Sequence, residues 1–589
     1  FFFSHLLGRR LLEFLPFMFR LRALLRACPP LPRADEQRLR GLLREIAQTP
    51  PGDDVLPARL GKSLMSAYEA LQPPGRLGFL SILARQDVDL STVRRSCQNL
   101  LAAEDDCRAA ASLRARGALR EALEPPSERI IGRLAQQPGG LRFLVAMRAD
   151  LLSALAQRGP FAEAAPPSPS LSPPAAGSSA ATAAAATAAA AAAEAGSVAS
   201  PLAAEGGEAG EGERGEGLRE RWRALDGSLR RLLSTWFDQG LLKLEALSWE
   251  TSPAGLLGRV MQYERVHPFT GGWPDLQRRL GGGDADGASE GGAAGRYNRM
   301  FALTHPRMPG EPLVFVHVAL VGEVPSRLAA VLPSAPPLPS VSPPSAPPPS
   351  ASPPAAAASA APPPFAPTTA AFYSISSPFS GLRGVPVGGL LIKQAAASLA
   401  AAEPSLRTFV TLSPVPGFRT WLTARLARQR ASGGGGEDLS GEGAALNGLL
   451  QALSAAGLDE TAPFSELGPL HGPISTGGVQ SPEQERADAV RRSLVGLCAR
   501  YLCRATQRQR ALDPVAGFHM RNGAALIAIH WAANPSSYGL EESASIMVNY
   551  HYDMPEVEAR HSAYVAKGVT ELAASPEVWR LAHASGSLT

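Results

Sequence analysis

A single histidine, His519, stands in the segment DPVAGFHMRNGA, residues 513–524, between an apolar run and the turn-forming pair Asn522-Gly523. An unperturbed imidazole titrates at about pH 6.5, so it can accept or donate a proton at neutral pH. A strand of buried character, AALIAIHWAA, follows directly. We therefore expect His519 to lie at an exposed edge, where it could act as an acid or base. A structural histidine is the alternative.

A serine with similar potential, Ser413, stands in TLSPVPGF, residues 411–418, at the end of a predicted strand. The proline that follows stops the strand, and ligands of such sheets bind beside strand ends. A hydroxyl at this place could hydrogen-bond a substrate oxygen. A serine before proline is also common in turns, and that interpretation stays open.

The stretch GLRGVPVGG, residues 381–389, joins a predicted strand to a predicted helix. Gly384, Gly388 and Gly389 allow the backbone to come close to a ligand. The helix that begins near Leu390 directs free N–H groups and the positive end of its dipole at that space. These are the properties of a pyrophosphate site, although a structural tight turn fits the same pattern.

The elements that must position these residues form a mixed sheet. Two strands joined across Pro309-Gly310 are predicted first, and the second, residues 313–321, is apolar enough to lie inside a sheet. The segments FYSIS, RTFVTLS, AALIAIHWAA and ASIMVNYHYD predict further strands, with helical segments between them. Strands with helices on their faces indicate an α+β domain over residues 238–589.

The preceding region, residues 34–237, is helical in pattern, because apolar residues recur at three-to-four spacing, as in GGLRFLVAMRADLLSALAQ. A tract rich in Pro, Ala, Ser, Gly and Glu interrupts it at about residues 159–217, and a similar tract spans about 333–367. Neither tract has enough apolar surface to offset the entropy of ordering, so we predict two disordered insertions. A flexible Gly-rich loop is predicted at about residues 431–445.

Composition excludes several classes of function. The chain has 589 residues with 57 basic and 53 acidic side chains, a net charge of +4, and no basic patch interleaved with aromatic residues. Nucleic acid is therefore not the expected partner. The five cysteines show no CxxC pair, so neither a disulfide framework nor a zinc site is indicated, and we expect reduced, mostly buried thiols.

The first 33 residues read as a targeting segment. Residues 1–30 carry five arginines against one acid, with leucine and phenylalanine between them, as organelle transit peptides do. The uncharged runs are much shorter than the roughly 20 residues of a membrane span. A mitochondrial location is the prediction, with plastid or cytoplasm as alternatives and an ordinary amphipathic helix as the other interpretation. The final residues, SGSLT, are not a peroxisomal signal.

Seven segments taken together resemble one known family, malonyl-CoA decarboxylase, and they follow the family's order across residues 37–578. They are GGLRFLVAMRADLL, GEPLVFVHVALVG, FYSIS, GLRGVPVGGLLIK, TLSPVPGF, DPVAGFHMRNGA and IMVNYHYD. The resemblance implies a helical N-terminal domain followed by a GNAT acetyltransferase-like catalytic domain. It also implies conversion of malonyl-CoA to acetyl-CoA and carbon dioxide, and a homo-oligomer, such as a tetramer, packed through the helical domain.

The resemblance can be carried over position by position. Ser413 falls on the family's active-site serine and His519 on its catalytic histidine, while Ser374 and Tyr552 match further active-site positions. At Pro386 some members carry a glutamate, so this chain lacks the hydrogen bonds of that side chain. The family's CoA-binding loop is matched by Arg383, Gly384, Val385, Pro386, Val387, Gly388 and Gly389.

The implied reaction needs no cofactor and no metal. When carbon dioxide leaves a malonyl thioester, the electrons spread onto the thioester oxygen, so the substrate is its own electron sink. We expect His519 to protonate the resulting carbanion as a general acid. Ser413 is expected to hydrogen-bond the carboxylate or the thioester oxygen, and Tyr552 to orient His519 or the acyl group.

Two other functions stay open: an acyltransferase that uses the same CoA loop, and an acyl-CoA-binding or scaffold protein whose function depends on the helical domain. A GNAT-type acyltransferase would pass the acyl group to an amine and needs a base, for which Asp513 or Asp553 are candidates. A non-catalytic acyl-CoA-binding protein would need neither Ser413 nor His519. Release of carbon dioxide from malonyl-CoA without an acceptor separates both alternatives from a decarboxylase.

Overall fold

The structure is a computed structural model, and it describes residues 31–49, 55–105, 109–156, 211–238, 240–280, 297–332, 366–431, 441–458, 481–507 and 509–583. The predicted targeting segment up to residue 30 and the C-terminal residues after 583 lie outside the described residues. So do most of the two predicted disordered insertions and most of the predicted Gly-rich loop.

The first part of the described chain is helical, and its helices pack through the apolar stripes that predicted them. Leu43, Phe79 and Leu144 are buried where the stripes meet. The last helix begins at Glu211, so residues 211–217 are helical although the sequence assigned them to the first insertion. The helices are α1 (Arg33–Gln48), α2 (Val55–Ala70), α3 (Pro73–Ala84), α4 (Leu90–Asp105), α5 (Ala109–Leu123), α6 (Pro126–Gln136), α7 (Gly140–Ala156) and α8 (Glu211–Trp236).

The second part combines strands with helices. The strands are β1 (Lys243–Leu247), β2 (Tyr297–Thr304), β3 (Val314–Val321), β4 (Thr369–Ser376), β5 (Thr408–Thr411), β6 (Ser413–Pro414), β7 (Thr506–Gln507), β8 (Arg510–Ala511), β9 (Ala525–His530) and β10 (Met547–His551). The helices are α9 (Ala254–Tyr263), α10 (Trp273–Leu280), α11 (Val387–Ala402), α12 (Phe418–Ala431), α13 (Glu442–Ala455), α14 (Pro482–Arg504), α15 (Pro514–Arg521), α16 (Ser537–Ser543), α17 (Val557–Lys567) and α18 (Pro576–His583).

The strands form one mixed sheet in the order β1-β2-β3-β4-β5-β10-β6, and β9 pairs with β10. Strands β4 and β5 are parallel and the other pairs of this sheet are antiparallel. A separate two-stranded sheet joins β7 to β8. The predicted α+β class with a helical N-terminal region is confirmed, and so is the hairpin across Pro309-Gly310.

The Gly-rich segment is shorter than predicted. The sequence extended it to residue 445, but α13 begins at Glu442. Leu446, Leu449 and Leu453 recur at helical spacing and are buried, which explains why a helix forms there. Within the described part of the chain, no helix combines the length and apolar character needed to cross a membrane.

The sheet brings the predicted site segments to one place. Strands β4 and β5 run side by side with Phe372 opposite Thr411, so Ser374 and Ser413 follow at neighbouring strand ends. β10 pairs with β5 and with β6, and Val548 of β10 lies opposite Ser413. Tyr552 comes directly after β10, and α15 lies before β9, the other neighbour of β10.

Candidate active site

Three of the predicted residues meet in one hydrogen-bonded group. Ser413 Oγ lies 3.2 Å from His519 Nε2, and His519 Nδ1 lies 2.8 Å from the Tyr552 hydroxyl. The Ser413 hydroxyl donates to Thr411 Oγ1 at 2.9 Å. With this direction the Ser413 oxygen can accept from a proton on His519 Nε2, and Nδ1 can then accept from the Tyr552 hydroxyl.

The prediction that His519 lies at an exposed edge is wrong. The segment forms helix α15, which begins after Asp513 and has Pro514 in its first turn. His519 is 2% exposed. Its ring stacks on Tyr550, with centroids 4.5 Å apart and planes inclined by 23°.

Burial decides the charge of the histidine. It lowers the pKa of His519 to about 3, because an imidazolium without solvent is unfavourable. The ring is therefore neutral at physiological pH in the absence of substrate. A neutral ring that holds one proton on Nε2 and accepts on Nδ1 is suited to passing a proton between a ligand and its two hydroxyl neighbours.

Asp513 holds the helix that carries His519. Its carboxylate accepts from the Ala516 N–H at 2.9 Å, from the Gly417 N–H at 3.4 Å and from the Tyr501 hydroxyl at 3.4 Å. The side chain is fully buried, and burial raises the pKa of Asp513 to about 6. The residue is therefore the N-cap of α15 and a link to the end of the segment that contains Ser413.

Replacing Asp513 by alanine is expected to lower the free energy of unfolding by about 2–4 kcal/mol, through loss of the cap and of the acceptor for buried donors. Asp513→Asn keeps an acceptor for Ala516 and should lose much less. Thermal unfolding of both variants measures the difference. Equal stability of Asp513→Ala and the parent protein would show that the cap does not hold α15.

The raised pKa of Asp513 also predicts a pH dependence. Folding favours its protonated form, so the stability it contributes is present at about pH 4 and is lost as the pH rises through about 6. Relative to Asp513→Asn, the parent protein should gain on the order of 1 kcal/mol between pH 7.5 and pH 5. Paired unfolding curves at the two pH values test this, and a pH-independent difference would contradict it.

Ser374 belongs to a second buried group centred on Glu264. Ser374 Oγ lies 3.2 Å and 3.1 Å from the two Glu264 oxygens, and Ser376 Oγ donates to Glu264 at 3.1 Å. His317 Nε2 lies 3.1 Å from Glu264 Oε2. Burial acts to raise the pKa of Glu264, but the neighbouring His317 ring and the hydrogen bond from the His267 N–H outweigh it and bring the pKa to about 2.

Sequence reasoning missed Glu264. Glu264 is the residue directly after the amphipathic helix α9, where a single acid is usually solvated. Its serine partners lie on a strand that is far away in the sequence. The available signal was the pattern YERVHPF, in which the N–H of His267 donates back to Glu264 at 2.8 Å. Ser374 is thus fixed by a carboxylate and, as far as the described contacts go, is not joined to the Ser413 group.

The predicted CoA loop leads into α11, which begins at Val387 rather than near Leu390. Pro386 occupies the N-cap position and no side chain caps the helix, so first-turn N–H groups lack an intrahelical partner. A Cβ on Gly388 would lie 3.1 Å from the Phe518 ring, and one on Gly389 would lie 2.0 Å from Asn522 Oδ1. These two glycines therefore allow α15 to approach closely, and they place the loop beside the helix of His519.

Cysteines and metal ligands add little to the site. Cys498 and Cys503 are buried thiols and Cys97 is a partly buried one, while Cys28 and Cys107 lie outside the described residues. In the described ranges, no group of three or more His, Cys, Asp or Glu side chains could hold a metal ion.

Comparison with known proteins gives consistent matches. The family model of the malonyl-CoA decarboxylase C-terminal domain matches residues 240–587, and that of the malonyl-CoA decarboxylase N-terminal domain matches residues 87–164. Mitochondrial malonyl-CoA decarboxylase of Rattus norvegicus is 28% identical over 80% of this chain and 74% of its own length. That of Mus musculus is 29% identical over 84% of this chain and 79% of its own length.

Solved structures agree. The crystal structure of malonyl-CoA decarboxylase from Rhodopseudomonas palustris has a TM-score of 0.59 and 27% identity, covering 92% of this chain and 98% of that one. The one from Agrobacterium vitis has a TM-score of 0.61 and 28% identity, covering 92% and 99%. The catalytic-domain model alone spans more than half of the chain, and the chain therefore belongs to the malonyl-CoA decarboxylase family.

Proposed function

We propose that the Ser413–His519–Tyr552 group is the active site at which this carboxy-lyase converts malonyl-CoA to acetyl-CoA and carbon dioxide. The observation that carries the proposal is the buried contact of 3.2 Å between Ser413 Oγ and His519 Nε2. A serine and a histidine from segments 106 residues apart are brought into hydrogen-bonding distance away from water. Family membership supplies the substrate.

Burial favours the first step. Ser413, His519 and Tyr552 are 6%, 2% and 1% exposed, so a malonyl carboxylate bound there gives up much of its hydration. An isolated carboxylate is strongly disfavoured in such surroundings. Breaking the bond between the carboxylate and the methylene carbon releases neutral carbon dioxide and moves the electron pair onto the thioester oxygen, where the negative charge is delocalised.

Ser413 and His519 have separate roles in this proposal. The Ser413 hydroxyl donates to the carboxylate or to the developing enolate oxygen, in exchange for its contact with Thr411. The negative charge of the substrate raises the pKa of His519, because a nearby opposite charge favours the imidazolium, and the neutral ring takes up one proton from solvent as malonyl-CoA binds. The imidazolium then gives the proton on Nε2 to the methylene carbon, and Tyr552 at Nδ1 keeps the ring oriented.

The CoA moiety is assigned to the loop of residues 383–389. The N-terminus of α11 offers first-turn N–H groups and the positive end of the helix dipole to the phosphates. Packing of this turn against Phe518 and Asn522 sets the distance between bound CoA and His519. Ser374, fixed by Glu264, is assigned to the wall of the acyl pocket, and the GNAT relationship of the sheet stays a prediction from the resemblance.

The decisive assay supplies malonyl-CoA alone. We expect equal amounts of carbon dioxide and acetyl-CoA without any amine acceptor, whereas a GNAT-type acyltransferase would stay inactive until an acceptor is added. The two acids considered as its base are otherwise engaged. Asp513 caps α15, and Asp553 Oδ2 forms an ion pair with Arg560 Nη2 at 3.6 Å. Binding of CoA without turnover would favour the non-catalytic alternative.

Location and assembly are part of the same proposal. The rat and mouse relatives are named as mitochondrial enzymes, and with the arginine-rich N-terminus this supports a mitochondrial location. A homo-oligomer through the helical region is supported by the apolar side chains that the α4–α5 pair exposes. They are Leu90, Leu101, Leu113 and Leu123, each at least half exposed.

A further inference from the structure

One arginine of the helical region reaches the proposed CoA loop. Arg148 lies on α7 and is 2% exposed, and its Nε is 2.7 Å from Asp226 Oδ1 on α8. Its Nη1 donates to the carbonyl oxygens of Gly381 at 2.7 Å and of Arg383 at 2.6 Å. A single guanidinium therefore joins two helices of the N-terminal region to two peptide groups before α11.

The same segment packs directly on α7. A Cβ on Gly381 would lie 1.8 Å from the carbonyl oxygen of Val145, so only glycine allows this approach. The next residue, Leu382, is buried within the 3-10 turn Ser380–Leu382. Because Gly388 and Gly389 pack on α15, the loop is held by the helical region at one end and by the helix of His519 at the other.

The bonds to Arg148 also set the direction of a peptide group. In a trans peptide the N–H points opposite to the C=O. When the carbonyl of Arg383 points at Arg148, the N–H of Gly384 points away from α7, and Gly384 itself has a φ of 79°. A backbone N–H presented next to a helix N-terminus is a common element of phosphate sites.

We propose that Arg148 is a positioning residue for substrate binding, which holds residues 381–384 in the conformation that receives the CoA phosphates. This inference rests on the proposed function, because it takes residues 383–389 as the CoA site. It makes the affinity for malonyl-CoA depend on the helical region. Arginine is required because its planar guanidinium serves Asp226 and two carbonyls in fixed directions, which an ammonium group does not do.

The test compares Arg148→Met and Arg148→Lys with the parent protein. We expect Arg148→Met to raise KM for malonyl-CoA and the calorimetric Kd for CoA by about tenfold or more, with kcat within about threefold. Arg148→Lys should fall between the two, because it keeps the charge and part of the hydrogen bonding. Arg76→Met is the matched control. Arg76 Nη1 lies 3.3 Å from Oδ2 of Asp150, which is on α7 like Arg148, but Arg76 does not contact the loop.

A truncated substrate separates positioning from a general loss of structure. The N-acetylcysteamine thioester of malonate lacks the nucleotide and its phosphates, so kcat/KM for it should be the same in Arg148→Met and the parent. Equal losses on both substrates, or unchanged KM and Kd in folded variants, would overturn the proposal. If Arg148→Met does not fold, Arg148→Lys and Asp226→Asn are compared with the parent protein on the same two substrates. Absence of turnover in the parent protein would refute the proposed function instead.

Discussion

Replacement of His519 by asparagine is expected to lower kcat for malonyl-CoA decarboxylation by about 10²–10⁴-fold, the usual contribution of a general acid. Asparagine can keep a hydrogen bond to Tyr552 or Ser413, but it cannot become the acid that protonates carbon. KM should change little, because the proton is delivered after the substrate is bound. Acetyl-CoA formation under saturating malonyl-CoA measures the effect.

The control for His519→Asn is His583→Asn, at the exposed end of α18, which should keep kcat within about twofold of the parent. Thermal unfolding of His519→Asn shows whether the buried site has kept its structure. A folded His519→Asn protein that turns over malonyl-CoA within a few-fold of the parent rate would exclude His519 as the acid. Tyr552 and Ser413 would then be the remaining proton donors of the group.

Replacement of Ser413 by alanine has the second largest expected effect, a decrease in kcat of about 10²–10³-fold, as for other single donors to a developing oxyanion. The hydroxyl is buried beside the His519 ring, so water does not readily replace it. The loss should fall mainly on kcat if Ser413 binds the enolate oxygen. KM should also rise if Ser413 binds the malonyl carboxylate in the ground state.

Thr411→Val is the matched variant for Ser413→Ala. It removes the acceptor of the Ser413 hydroxyl and leaves the donor itself, so kcat should fall by no more than about tenfold. Because Thr411 Oγ1 also accepts from the Tyr550 N–H at 3.3 Å, some stability should be lost. A Ser413→Ala enzyme with the kcat and KM of the parent would remove Ser413 from the mechanism.

Much of the fold was predictable because its signals are local. Helical stripes and the hairpin across Pro309-Gly310 depend on residues close in sequence, and both were correct. Helix α15 was missed although its start signals were present. Asp513 and Pro514 are a helix cap and first turn, but the glycine and the Asn-Gly pair near His519 suggested a loop.

The burial and the contacts of the site residues could not be predicted from local sequence signals. The His519 ring stacks on Tyr550, which lies on β10, and only the tertiary fold brings the two rings together. The same holds for Glu264, whose partners Ser374 and Ser376 are more than a hundred residues away. Resemblance pointed to Ser413, His519 and Tyr552, and the fold brings the three side chains into contact.

Helix α15 is only 8 residues long, yet it supplies both the imidazole and the surface on which the first turn of α11 packs. Any small tilt of this helix is therefore expected to move the proposed acid and the proposed CoA loop together. Selection for activity on a bulkier acyl group should therefore find few useful substitutions in α15, because such changes would weaken substrate binding and turnover together. Laboratory evolution for such a substrate should instead collect its useful changes outside α15.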